Sequence, residues 1–150
     1  MRPRFLLLPL LAMLAPAAAS ACTLYVPRPP TAAEQQAGAR AAVDRAAAII
    51  DGEVIRPFVP GRAPALVRVH RRFKGPQRAV VEIGVVTSCD VPLMRMGERA
   101  RMLLSGGPDL YVIHMGVVSE REVDRLLGSD RRRDWPYVRG TAEAPRAPAS

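Results

Sequence analysis

Five short runs of alternating apolar and polar side chains, punctuated by proline and glycine, fill the middle of this 150-residue chain. A period of two sends successive side chains to opposite faces, which suits a half-buried strand and not a helix. The first run predicts a strand from Ala48 to Ile55, with Ile50, Gly52 and Val54 on one parity and Asp51 and Glu53 on the other. Gly52 inside it implies a bend or a close approach by another backbone. Pro57, Pro60, Gly61 and Pro64 mark a loop. Leu66 to Phe73 follows, with Val67, Val69 and Phe73 facing one way and Arg68, His70 and Arg72 the other. Lys74-Gly75-Pro76 is a turn signal. Ala79 to Val86 places Val81, Ile83 and Val85 inward, and Thr87 to Gly97 is a long loop holding Cys89, Asp90 and Pro92. Glu98 to Ser105 sends Ala100, Met102 and Leu104 inward and Arg99 and Arg101 outward. After the turn Ser105-Gly106-Gly107-Pro108, Asp109 to Val118 is the fifth strand.

Helices flank the strands. Thr31-Ala32-Ala33-Glu34 has the form of a capping box, so a helix starts near Thr31 and runs to about Ala47. Gly38 costs it about 1 kcal/mol. Ser119 caps a short second helix, with Glu120 and Glu122 in its first turn and Leu126-Leu127 before Gly128. Residues 129–150 are charged, then rich in proline and alanine, and are expected to be a disordered tail. The expected fold is mainly β: a five-stranded OB-like Greek-key barrel with an N-terminal helix and a short C-terminal helix. A glycine in the first strand helps that strand curl around such a barrel.

Residues 1–21 read as a signal peptide. Arg2 and Arg4 form a basic start, Phe5 to Ala15 an apolar run, and Ala19-Ser20-Ala21 a small-residue cleavage site. The apolar run is too short to span a bilayer. Cleavage leaves roughly 130 residues, enough for one modest domain over 22–128, in the periplasm or the exterior. It also makes Cys22 the first residue, with Cys89 the other cysteine. Two cysteines in an exported chain suggest one disulfide. It would close a loop of roughly 68 residues, a constraint of about 4 kcal/mol. The alternative is a lipid on Cys22, because Ala19-Ser20-Ala21-Cys22 is a degenerate lipobox lacking the usual leucine. A lipidated Cys22 cannot pair with Cys89, and it is the only route by which the mature chain would meet a membrane.

The chain carries a formal charge of +8, and Lys74 is its only lysine among 22 basic residues. Such a balance favours anionic partners in principle, but the arginines are interleaved with acids. Aromatics make up 5% of the chain, too few for the stacking platforms that single-stranded nucleic acid requires. Export also removes most nucleic-acid targets, so none is expected. His70 and His114 sit on separate strands, with no clustered metal ligands and no phosphate-binding loop. No catalytic residue, cofactor or metal of the chain's own is expected. Cys89 and His114 as a thiol–imidazole pair is outweighed by Cys89 as half of a disulfide.

The mature start Cys22-Thr23, the capped helix, Ile50-x-Gly52-x-Val54, Phe73-Lys74-Gly75, Ser88-Cys89 and Gly97-Glu98-Arg99 occur in an order that resembles the netrin-like domains. The likeness is greatest to the inhibitory domain of tissue inhibitors of metalloproteinases and its small bacterial relatives. It covers roughly Cys22 to Val118. It implies that the α-amine and carbonyl oxygen of Cys22 chelate the zinc of a partner metallopeptidase, that Thr23 enters its specificity pocket, and that Cys89 anchors the terminus. A neutral α-amine is accessible near pH 8, and a catalytic zinc keeps one position open. The chain departs from that pattern where Leu24 replaces a second cysteine and Asp90 a glycine, and in having no second domain.

Overall fold

The computed structural model describes residues 28–84, 93, 95–113 and 118–141. Its elements are α1 (Ala32–Arg45), β1 (Ala48–Arg56), β2 (Ala65–Lys74), β3 (Val80–Gly84), β4 (Arg99–Gly106), β5 (Tyr111–Ile113), α2 (Glu120–Leu127) and α3 (Arg131–Asp134). The strands close into a barrel in the order β1-β2-β3-β5-β4, with β4 returning to β1. All pairings are antiparallel except β3 with β5. This is the mainly β, OB-fold-like barrel with flanking helices that the alternation implied.

Helix α1 begins where its sequence dictates. Thr31 accepts from the Glu34 amide at 3.3 Å, and the Glu34 carboxylate accepts from the Thr31 amide at 2.8 Å. Arg28 grips the same carboxylate with two nitrogens, at 2.6 and 2.9 Å. At the other end, Lys74 Nζ donates to the carbonyls of Val43 and Asp44 at 2.9 and 2.7 Å. A cation at exposed C-terminal carbonyls is favourable, and this one ties α1 to the end of β2. Ser119 stands at the N-cap of α2, although its side chain makes no capping bond, and Gly128 ends the helix with φ 62°.

The barrel interior is filled by the residues whose parity marked them: Ile50 and Val54, Val67, Val81 and Ile83, and Ala100, Met102 and Leu104. Ala48, Ala65, Leu93 and Tyr111 complete its buried set. Phe58 reaches Leu93 through a backbone bond of 3.0 Å, which draws the loop after β1 across one end. Gly52 faces inward, and a Cβ on it would collide with the Val67 side chain. The glycine is therefore a packing requirement of the closed barrel.

Two expectations need correction. Phe73 does not share a face with Val67 and Val69. Between Asp51↔Arg71 and Gly52↔Val69 the register advances one residue on β1 and two on β2. Such a bulge reverses which parity faces outward. Phe73 consequently lies on the outer surface, beneath the guanidinium groups of Arg71 and Arg101. The second correction concerns the tail expected over 129–150. Asp130 caps α3 by accepting from the Arg132 amide, and Val138 and Thr141 pair with Arg99 and Met96. The segment is held as far as Thr141 because Asp134 meets Arg71 on the barrel, Arg131 meets Asp124 on α2, and Trp135 and Tyr137 reach His70, Arg99 and Glu98. Residues 142–150 lie outside the described residues. So do parts of the runs expected as the third and fifth strands, including Val85 and His114.

Candidate functional site

Cys22, Thr23 and Cys89 all lie outside the described residues. Within those residues, the chemistry is concentrated on the outer face of β1. There Asp51 is in register with Arg71 on β2 and Arg101 on β4, and Glu53 with Arg68 and Arg99. Two carboxylates thus alternate along one strand between two rows of arginines.

Arg101 is the centre of the first row. Its Nε and Nη2 donate to the two oxygens of Asp51 at 2.7 and 2.8 Å. Its Nη1 donates to Asp124 Oδ1 and to the Ser129 carbonyl, both at 2.9 Å, and Nη2 donates also to Ser129 Oγ at 2.9 Å. A guanidinium has five N–H donors, so every one is engaged. The Arg101 side chain is 0% exposed and that of Asp51 1%. Burial works to lower the pKa of Arg101, and the hydrogen bonds and charge of Asp51 and Asp124 outweigh it, leaving the group above its usual value.

Ser129 is used to capacity as well. Its hydroxyl accepts from Arg101 and from Arg71 Nη1 at 3.1 Å and donates to Asp134 at 2.9 Å. Asp124 binds Arg131 through both the side chain, at 2.8 Å, and the backbone amide, at 3.1 Å. Arg133 first, and Ser129 next, hold the Asp134 carboxyl below its ordinary range. The network joins β1, β2, β4, α2 and α3 through one fully buried cation.

The second row is more open. Glu53 Oε2 lies 3.2 Å from His70 Nε2 and 3.2 Å from an Arg99 nitrogen. Trp135 packs between those two partners, with ring centroids 4.7 Å from His70 and the Arg99 guanidinium 5.4 Å from its ring. Beyond it, Tyr137 donates its hydroxyl to the buried Glu98 carboxylate at 2.9 Å. Burial and then that hydrogen bond push the phenol above its usual pKa.

His70 is thus drawn into a charged surface row, as a residue of an outward strand face would be. No group of three metal-ligating side chains is found among the described residues. The alternation placed Arg101 on the outer face but gave it no partner. The missed signal was the charge pattern itself: Asp51 and Glu53 sit in a strand flanked by two others bearing arginines at matching outward positions.

The chain matches no protein family, no curated protein and no solved structure. What stands is the OB-fold-like barrel and the ionic face built on it.

Proposed function

We propose that the protein is an exported, non-catalytic binding module, periplasmic or secreted, whose barrel presents the mature N-terminus to a partner metallopeptidase. In this reading the α-amine and carbonyl of Cys22 meet the partner's zinc, Thr23 enters the adjoining pocket, and a Cys22–Cys89 disulfide holds the terminus rigid, which lowers the ordering cost of binding. The observation that carries the binding reading is the saturation of Arg101. Arg101 has no donor left for a substrate, so this buried cation serves as architecture, and the barrel is a scaffold for whatever it displays. A fold of this kind hosts many activities, so the inhibitory step rests on the resemblance of Cys22-Thr23 and its surroundings.

The intact mass of the exported protein tests the premise. A chain starting at Cys22 and lighter by two hydrogens than its reduced form supports the tethered terminus. A diacylglyceryl addition at Cys22 supports the second reading, an envelope lipoprotein with a scaffolding role, which the Ala19-Ser20-Ala21-Cys22 sequence favours. Inhibition is then tested by adding one alanine before Cys22. The native terminus should slow a zinc peptidase from a panel, and the extended form should not. Equal effects of the two forms would exclude chelation by the terminus.

A further inference from the structure

The segment after α3 behaves as a strand added to the barrel. Arg99 and Val138 exchange both backbone bonds, at 3.0 and 3.2 Å, and the Thr141 amide donates to the Met96 carbonyl at 2.9 Å. Three side-chain requirements accompany this backbone pairing. Trp135 fills the place between His70 and Arg99. Tyr137, two residues on, reaches Glu98. Gly140 lies so close to the Met96 carbonyl and the Glu98 amide that any Cβ there would collide with them.

The same segment is an imperfect occupant of its seat. The Trp135 Nε1 donor is buried with no hydrogen-bond partner among the described residues. A cleft of about 460 Å³ lies beside it, between Trp135, Tyr137 and Ala100. Tyr137 and Val138 are exposed, and the pairing consists of two isolated bridges rather than a ladder. Segments with few buried contacts and short pairing open at low free energy, and an uncovered strand edge is a template for another strand.

We propose that the Met96–Arg99 edge is a peptide-docking site, held closed by residues 135–141 and open to an extended segment of a partner protein. The main-chain groups of Arg99 and Met96 supply the pairing, as in other cases of strand addition. The seats for Trp135, Tyr137 and Gly140 supply the selection: an aromatic residue, a tyrosine two places on, and a glycine three places beyond that. The site uses none of Cys22, Thr23 or Cys89, so it stands or falls apart from the reading of the N-terminus.

The chain has one tryptophan, which makes the test direct. Two full-length chains are compared, Trp135→Phe with the segment seated and Trp135→Phe/Gly140→Ala with it dislodged. The probes are a synthetic peptide of residues 134–141, an unrelated peptide keeping the Trp-x-Tyr-x-x-Gly spacing, and that second peptide with its glycine changed to alanine. Tryptophan emission then comes from the peptide alone. The dislodged chain should bind the first two peptides at least tenfold more tightly than the seated one, and should not bind the third. The proposal is overturned if a cooperatively melting dislodged chain shows no saturable change, or binds no better than the seated chain. It is overturned too if only the native sequence binds, since the segment is then a latch and nothing more. Should the Gly140→Ala chain fail to fold, Trp135→Phe/Val138→Pro, which removes one donor to Arg99, replaces it under the same criteria.

Discussion

Arg101 illustrates how the cost of a residue depends on what surrounds it. Its attraction to Asp51 is offset by the desolvation of both groups, so the pair itself adds little net stability. Removing one member is a different matter, because the other is then left charged, buried and alone. Arg101→Met should destabilise the fold by about 3–5 kcal/mol, read by chemical denaturation. Arg101→Met/Asp51→Leu should recover a large part of that loss, and the double-mutant cycle should show strong coupling. Additive losses would mean that Arg101 acts chiefly through Asp124 and Ser129. Gly52 makes a steric argument of the same local kind. Gly52→Ala should cost about 1–3 kcal/mol through overpacking against Val67, visible as a lowered melting temperature with an unchanged far-UV spectrum.

Among the elements, α1 is the one whose stability is written most locally. Gly38 is exposed, and a Cβ there meets nothing within 4 Å. Gly38→Ala should therefore stabilise the protein by about 0.5–1 kcal/mol. The cap of α1 also carries a pH dependence. Arg28 first, then the Thr31 amide and hydroxyl, lower the pKa of Glu34 from 4.5 to about 2. A lowered folded-state pKa contributes stability that is complete above the unfolded value and is lost as pH falls through the folded one. The contribution should thus persist through pH 5 and disappear between about pH 4.5 and 2. An NMR titration of the Glu34 carboxyl should show its midpoint near 2, and Thr31→Ala should move that midpoint upward. Strand β2 teaches the opposite lesson. Its alternation located Val67 and Val69 correctly, but the bulge opposite Gly52 put Phe73 on the outer face. Alternation reports parity along one strand; only the partner strand determines where that parity is broken.

In the whole molecule, the segments that flank the strands on either side pack onto the barrel and onto each other. Helices α1 and α2 pack together, and the segment from Ser129 to Thr141 binds the outer face of β2 and β4. Ending the chain after Gly128 would be silent if that segment were disordered. The structure instead predicts a loss on the order of 2 kcal/mol or more, since Arg101 gives up its Ser129 partners and Trp135 its seat. For a domain of this size that is roughly a 10 °C fall in melting temperature, measured by thermal unfolding.

The residues alone were enough to establish the class of fold, the inward-facing residues of β1 and β4 together with Val67, Val69, Val81 and Ile83, the capped start of α1 and the glycine stop of α2. Each of these is decided within a few neighbouring residues, by parity, by a capping bond or by a single backbone angle. The pairing of Arg101 with Asp51, Asp124 and Ser129, the outward turn of Phe73 and the ordering of residues 129–141 required the tertiary structure. The Arg101 pairings join groups 23 to 50 residues apart and the Arg71–Ser129 bond spans 58, and a charged side chain carries no local mark of whether its partner is water or another strand.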